Sequence, residues 1–454
     1  MEEYIKKLLE QIRFEKAHKA IGDEIRTHIE DQIEKNMSDG MDKETAEKSA
    51  VEDMGNPVDA GIELDKVHRP QMAWEVVIAT LVVAALGIVI RVFMESKGLL
   101  FFHYVHYAYN ESYGLWDNIL LFWELSEVAY FIKATIIGMA LMLILYFIDY
   151  TTVAKYSKVM GGLLVMAFVL NRIIKFWLYD HNIFNVQIDY SYALMKSIDI
   201  IDALRPLIIP LFSGIIYRYK GQKYKGLIKA GFWIIITLVV QYSGSVEWSI
   251  LIICMLTELT MAVMKGWIEV KKKPVLIAMW SSFIILFAHY IYRLKSPLSP
   301  IHTVADEVIR VYLKDAKLFG EGKIPVALGI NIYSIALSMG IVIAIAVAAA
   351  IIGLIVVGLI AASKTKNQLG CVMAAGCLSW LAGNTVFSTL SGFGIMPDMY
   401  QASFLPFISG EITYDSLIAS YAMFGIILSI YKYKNAYAEH VDISLRVRSK
   451  DFGG

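Results

Sequence analysis

Long apolar segments, separated by shorter polar connections, dominate the chain from residue 72 onward. A bilayer-spanning helix needs about 20 mostly apolar residues. Ten segments approach or exceed this length: 72–94, 129–148, 157–177, 199–217, 226–242, 246–264, 274–292, 338–362, 369–392 and 414–431. The pattern predicts an all-α, polytopic membrane domain at 71–434 with ten transmembrane helices. A mean hydropathy of +0.54 argues against a soluble enzyme.

Lysine and arginine are concentrated in alternate connections between these segments, and such basic connections are retained in the cytoplasm. The basic positions are Lys155 and Lys158, Arg218 to Lys225, Lys265 to Lys273, Lys364 and Lys366, and Lys432 and Lys434. This distribution predicts a multi-pass protein of the plasma membrane with both termini in the cytoplasm.

Residues 1–70 differ from the rest because they carry 11 basic and 18 acidic side chains. Apolar residues at helical spacing, such as Ile21, Ile25 and Ile29, indicate short amphipathic helices. A third helix follows the break at 38–40 and ends near Pro57, because proline disfavours helical geometry before it. We predict a cytoplasmic three-helix domain that docks a partner at the membrane surface, with a simple spacer as the alternative. Residues 435–454 are predicted to form a cytoplasmic tail.

Ionisable residues inside predicted spans are energetically costly and are therefore candidates for function. Asp202 and Arg205 stand three residues apart at the outer end of the fourth segment and share a helical face. They are candidates for an ion pair facing an outer cavity, with snorkelling to headgroups as the alternative. Arg91, Glu258 and His289 are further candidates, although one buried hydrogen bond or snorkelling would account for each.

A 45-residue outer connection at 293–337 is unusually long for a compact membrane domain, and such loops are often functional. Its apolar and charged positions predict an amphipathic helix near 304–316 on the outer leaflet, with Asp315 on the charged face. An LFGEG sequence follows at 318–322, where Gly320 and Gly322 permit a tight exposed turn. The three cysteines, at 254, 371 and 377, lack paired spacing, so we expect no disulfide scaffold, no metal site and no cofactor.

The late part of the chain contains Asn384, then GIMP at 394–397, then LPFIS at 405–409, then FGIILSI at 424–430. With the LFGEG sequence and the Asp149-Tyr150 step after the second segment, this order resembles the shape, elongation, division and sporulation (SEDS) family, the FtsW, RodA and SpoVE group. The resemblance covers about residues 72–434. Residues 1–70 are similar to the small helical domain that precedes some permeases, and the MGNP sequence at 54–57 is its most recognisable part.

Members of this family polymerise peptidoglycan glycan strands from a lipid-linked disaccharide (lipid II) at the outer membrane face. The resemblance implies that precursor as ligand, a class B penicillin-binding protein as partner, contact with membrane lipids, and no nucleic-acid partner. The implied substrate contacts are Asp202, Arg205, Gly320, Gly322, Pro406 and Ser409. Gly329 stands where the family has its essential aspartate. Asp315, or alternatively Asp306, is the candidate that would replace it as general base, although neither falls at the matched position.

Three functions therefore stay open at this point. The first is a divergent glycan polymerase or lipid-precursor protein that acts in peptidoglycan synthesis, cell division or cell shape. The second is a noncatalytic scaffold or regulator of a penicillin-binding protein, which the missing aspartate at Gly329 favours. The third is a permease, suggested by the N-terminal domain alone; the absence of a visible internal repeat counts against it.

Overall fold

The computed structural model is all-α in the residues that it describes, which are 1–97, 127–180, 202–241, 247–294, 314, 316–320, 332–392, 405–408, 415–441 and 443. The chain consists of an N-terminal helical unit, here called the head (1–68), and a larger apolar helical bundle.

The head contains four helices: α1 (Glu2–Leu9), α2 (Glu15–Ser38), α3 (Lys43–Asp53) and α4 (Pro57–His68). The prediction of three helices is therefore wrong, because Pro57 begins a fourth helix as well as following the third. The side chain of Asn56 caps α4 by accepting a hydrogen bond from the Val58 backbone N–H at 2.9 Å. Proline fits the first position of a helix, since the N–H that it lacks would have no partner there.

The head has a hydrophobic core of its own. Leu8, Ile21 and Ile29 are fully buried and belong to a cluster distinct from the main core of the bundle. Helix α1 packs tightly on α4 at Gly61, where a Cβ atom would lie 2.5 Å from the Leu8 carbonyl oxygen. Burial of this apolar surface is the main force that holds the head together.

The bundle places a helix at each of the ten predicted apolar segments. In chain order the helices are α5 (Trp74–Ser96), α6 (Glu127–Phe147), α7 (Tyr150–Asp180), a 3-10 helix (Asp202–Leu207) that leads into α8 (Ile208–Tyr217), α9 (Lys223–Gln241), α10 (Glu247–Met264), α11 (Lys272–Leu294), a short additional α12 (Ile332–Ser338), α13 (Ile341–Ser363), α14 (Gln368–Gly392) and α15 (Asp415–Lys432).

Six helices in the described part of the chain, namely α5, α6, α7, α11, α13 and α14, are long and apolar enough to cross a membrane. Helices α8, α10 and α15 are apolar but shorter. Many aliphatic side chains of α5, α6, α7, α11 and α13 are exposed on the outside of the bundle, as expected for surfaces that face lipid. These features indicate a multi-pass membrane protein.

Helix α7 begins at Tyr150, seven residues before the predicted start at 157. Lys155 and Lys158 therefore lie on its first turns and not in a loop, which corrects the sequence interpretation. The reason is the side chain of Asp149, which accepts a hydrogen bond from the Thr151 backbone N–H at 2.9 Å. Such a contact satisfies a free N–H at a helix start and allows the helix to begin immediately.

Glycines allow α6 and α15 to pack closely. A Cβ atom at Gly138 would lie 2.3 Å from the Tyr421 ring, and one at Gly425 would lie 2.7 Å from the Met142 carbonyl oxygen. Small residues at such contacts are typical of helix pairs in membranes, where close van der Waals packing drives association. This helix pair positions the start of α15 beside the late sequence motif.

The basic helix ends lie together at one end of the bundle, here called the basic end. Gly221, after α8, donates its N–H to the Trp267 carbonyl oxygen at 2.9 Å, and Trp267 donates its ring N–H to Gln368 at the start of α14 at 2.6 Å. The head contacts this same end. The described part of the predicted tail also packs here, since Ala436 and Ile443 are buried in the main core.

Candidate functional site

The first four residues of the late LPFIS motif form a turn at the end of the bundle opposite the basic end. These residues, 405–408, are all buried and are here called the buried turn. The Phe407 ring makes edge-to-face contacts with Tyr421 and Phe424 of α15, with centroids 5.1 and 5.2 Å away. Phe407 has a φ of +65°, which is unusual for a bulky residue and shows that its surroundings impose this conformation. Non-helical backbone at this depth must be satisfied inside the protein.

Arg91 of α5 provides a hydrogen-bond donor for the backbone of the buried turn. Its side chain is fully buried, and its Nη1 atom donates a hydrogen bond to the Ile408 carbonyl oxygen. The guanidinium carbon lies 3.7 Å from the centre of the Phe131 ring on α6, which is a cation–π contact. Because Arg91 is buried and points into the bundle, snorkelling to headgroups does not explain it. The residue instead links α5, α6 and the buried turn.

The buried turn also fits closely against α5. A Cβ atom at Gly87, one helical turn before Arg91, would lie 2.8 Å from the Phe131 ring and 3.3 Å from the Phe407 carbonyl oxygen. Arg91 lies five residues before the end of α5, or about 8 Å inside it. The turn therefore lies between the helices, about 8 Å inside this end of the bundle.

The described part of the LFGEG sequence caps helix α13. The carbonyl oxygens of Lys317 and Leu318 accept hydrogen bonds from the N–H groups of Ile341 and Val342 at 3.0 and 3.2 Å. Gly340 must be a glycine, because its φ is +106° and a Cβ atom there would lie 2.7 Å from the Leu318 carbonyl oxygen. These two N–H groups already donate to backbone carbonyl oxygens, so they are not available to bind an anion at the start of α13.

Gly320 forms the exposed turn that the sequence predicts, with a φ of +84°. Pro406 lies within the buried turn. Arg205 is half-buried on the 3-10 helix, whose repeat of about three residues places Asp202 on the same edge. The side chain of Asp202, and residues Asp315, Gly322, Gly329 and Ser409 with most of the predicted amphipathic helix at 304–316, lie outside the described residues.

Glu258 of α10 is a second buried ionisable group, and it lies in the middle of the bundle. Its side chain is fully buried, and neither carboxyl oxygen has a hydrogen-bond partner among the described residues. A Cβ atom at Gly376 of α14 would lie 1.8 Å from Glu258 Oε1. The carboxyl group therefore occupies the space beside this glycine. Any larger residue at 376 would force α10 and α14 apart or displace Glu258.

Asp149, between α6 and α7, joins the head to the basic end of the bundle. Its buried carboxylate accepts hydrogen bonds from Lys16 Nζ at 2.8 Å, from the Thr151 hydroxyl at 2.8 Å, and from the Tyr437 hydroxyl. The Lys16 ammonium also lies 4.8 Å from the centre of the Tyr433 ring, which stacks on Phe14 of the head at 5.7 Å. Asp149 was a landmark of the resemblance, but its role as the docking point of the head was not predicted.

The charges at this contact favour docking at neutral pH. Burial alone disfavours the Lys16 ammonium, but the hydrogen bond and charge of Asp149 outweigh this cost and raise the pKa of Lys16. Burial and the Asp149 charge also raise the pKa of Tyr437, so its hydroxyl remains a donor. Docking raises the pKa of Lys16, so protonated Lys16 stabilises the docked head. This stabilisation is fully present at pH values below the reference pKa of 10.5, and it is lost only as the pH rises above that value.

Residues 433–443, here called the C-terminal strap, hold the head and the helix ends together. Asn367, before α14, donates from Nδ2 to the Ala438 carbonyl oxygen at 2.7 Å. The Val441 N–H donates to the Tyr217 hydroxyl at 3.1 Å. Asn435 Nδ2 reaches the Val67 carbonyl oxygen of the head at 2.9 Å. The described part of the predicted tail is therefore a packed connector.

The fold is similar to that of a chain from a peptidoglycan synthase complex, whose structure addresses the coordination of polymerization and crosslinking. The two chains share 14% sequence identity and superpose with a TM-score of 0.53 over 80% of this chain and 98% of the other. At this identity the likeness concerns the fold. Neither a protein-family model nor a curated protein matches the sequence.

We expect the Lys16→Ala variant to loosen the head from the bundle. A partly exposed ion pair contributes up to about 1 kcal/mol, so undocking should become roughly two- to fivefold more frequent. The connection after α4 is exposed at Arg69 and is held by the strap, so limited trypsin digestion there reports undocking. The matched control is Lys19→Ala, which removes another exposed lysine of α2. Equal cleavage rates in the two variants would contradict the docking role of Lys16.

Proposed function

We propose that this protein is a divergent SEDS-type membrane protein of peptidoglycan synthesis, and that it handles the lipid-linked disaccharide precursor at the outer membrane face. The observation that carries the proposal is the buried turn, in which the most family-specific sequence run, LPFIS, is inserted under Arg91. The similarity in fold to a chain of a peptidoglycan synthase complex supports it. A role in division, elongation or cell shape follows from that chemistry.

The proposal includes ten transmembrane spans, with the head and the strap in the cytoplasm and the buried turn towards the outside of the plasma membrane. Two observations support this orientation. A helix coincides with each of the ten apolar segments, and the basic residues that predict cytoplasmic loops belong to one end of the bundle. The head docks at that end through Lys16 and Asp149.

Cysteine labelling in intact cells tests this topology. Lys97, at the end of α5, and Lys223, at the start of α9, are both exposed. A membrane-impermeant maleimide should label the Lys97→Cys variant in intact cells and the Lys223→Cys variant only after permeabilisation. The parent protein is the control for its three native cysteines. Labelling of both variants under the same condition would contradict the proposed orientation.

The chemistry of the precursor fits the proposed outer site. A polyprenyl tail requires an apolar groove, its pyrophosphate requires cations or N–H donors, and an acceptor sugar hydroxyl requires a general base for transfer. The proposed contacts are Asp202, Arg205, Gly320, Gly322, Pro406 and Ser409, with Asp315 as candidate base. Because Ser409 directly follows Ile408 in the chain, the proposed role of the buried turn is to shape this site.

A second function, a noncatalytic scaffold or regulator of a class B penicillin-binding protein, is favoured by one specific observation. Gly329 stands at the position of the family's essential aspartate, and glycine has no group that accepts a proton. Binding of the precursor or of the partner does not require that base. The head and strap offer a cytoplasmic route for regulation, whereas no observation beyond the N-terminal resemblance favours a permease.

We expect the purified protein to bind photoreactive lipid II but to polymerise it weakly or not at all. General-base assistance contributes roughly 10² to 10⁴ in rate, so loss of the base should reduce polymerisation by that order. Crosslinking and gel analysis of glycan products, with and without a penicillin-binding protein, measure the two properties separately. Robust polymerisation that Asp315→Ala abolishes would show a shifted catalytic carboxylate, and absence of any lipid II binding would contradict the proposed function.

A further inference from the structure

Three cations gather around one buried tyrosine between α7, α8 and α9, at the basic end of the bundle. The Nζ atoms of Lys158 and Lys229 lie 4.9 and 5.5 Å from the centre of the Tyr219 ring, so they are no more than about 10 Å apart. Tyr219 is buried, and its hydroxyl accepts a hydrogen bond from the Trp233 ring N–H at 3.3 Å. The adjacent Arg218 donates one hydrogen bond to the Lys155 carbonyl oxygen.

No carboxylate of the described residues lies within ion-pairing distance of these three cations. Residues 203–246 contain five lysines and arginines besides Arg205, and neither aspartate nor glutamate. The Nε atom of Arg218 is buried and has no hydrogen-bond partner among the described residues. Like charges held this close repel one another, so an anion that binds between them is stabilised by all three.

The surface beside these cations is apolar and faces outward. Gly162 lies one helical turn after Lys158, is exposed, and a Cβ atom there would meet open space. The Trp233 ring packs against the neighbouring Gly161, where a Cβ atom would lie 3.3 Å from it. The exposed side chains of Met166 on α7 and Phe232 on α9 extend the apolar surface away from the cations.

We propose that the cluster of Lys158, Arg218 and Lys229 binds the phosphate headgroup of an anionic phospholipid of the cytoplasmic leaflet, with an acyl chain along the exposed apolar surface at Gly162, Met166 and Phe232. The inference rests on the proposed orientation of the bundle. Basic clusters between membrane helices at the cytoplasmic face are suited to anionic lipid headgroups. The adjoining apolar surface favours a lipid over a soluble phosphate, which would use only the cations.

Native mass spectrometry of the full-length protein tests this site. The protein, stripped of lipid in a neutral detergent, is titrated with phosphatidylglycerol, with phosphatidylcholine, with inorganic phosphate and with lipid II in separate arms. We expect one phosphatidylglycerol to bind at least tenfold more tightly than phosphatidylcholine. The Lys158→Gln/Lys229→Gln variant should lose this preference. Both side chains are exposed, so the variant should keep the thermal stability of the parent in detergent without added lipid.

The matched control is Lys223→Gln/Lys225→Gln, which removes the same charge from exposed lysines outside the cluster. This control should keep the preference for phosphatidylglycerol. Equal losses in both variants would overturn the proposal, because they would indicate a general effect of net charge. Competition by inorganic phosphate at equal concentration, or loss of lipid II binding alone, would also overturn it. Unchanged lipid II binding in the cluster variant separates this site from the proposed outer one.

Discussion

The hydrogen bond from Arg91 to the Ile408 carbonyl oxygen satisfies the constraint on which this end of the bundle depends. A non-helical turn inserted among apolar helices exposes backbone polar groups that lipid cannot satisfy. A buried carbonyl left without a donor costs about 1 to 3 kcal/mol. Arg91 provides the donor, and Phe131 covers its charge at 3.7 Å. The position of the buried turn follows from this arrangement.

The two ends of the bundle are built differently. At the end with the buried turn, the acceptors are backbone carbonyl oxygens: those of Lys317 and Leu318 cap α13, and that of Ile408 accepts from the Arg91 side chain. At the basic end, charged and aromatic side chains connect the head, the α6–α7 turn and the strap around Asp149.

The sequence predicts the elements that depend on local composition and fails for those that depend on distant partners. The ten apolar segments coincide with helices because span length and hydrophobicity are local properties. Helix α4 and the early start of α7 were missed, although Asn56 and Asp149 are both residues that cap helices. The role of Arg91 was not predictable, since its partner lies 317 residues away, and the Lys16–Asp149 contact spans 133 residues.

We propose that Arg91, through the buried turn, shapes an outer site for the lipid-linked precursor. The most direct measurement is the affinity of Arg91→Met for a lipid II analogue, with Lys97→Ala, an exposed change on the same helix, as control. The substitution leaves the buried Ile408 carbonyl oxygen without a donor, which costs about 1 to 3 kcal/mol and should displace the turn. We expect this displacement to weaken lipid II binding about tenfold or more. Unchanged affinity in a folded Arg91→Met protein would contradict the account.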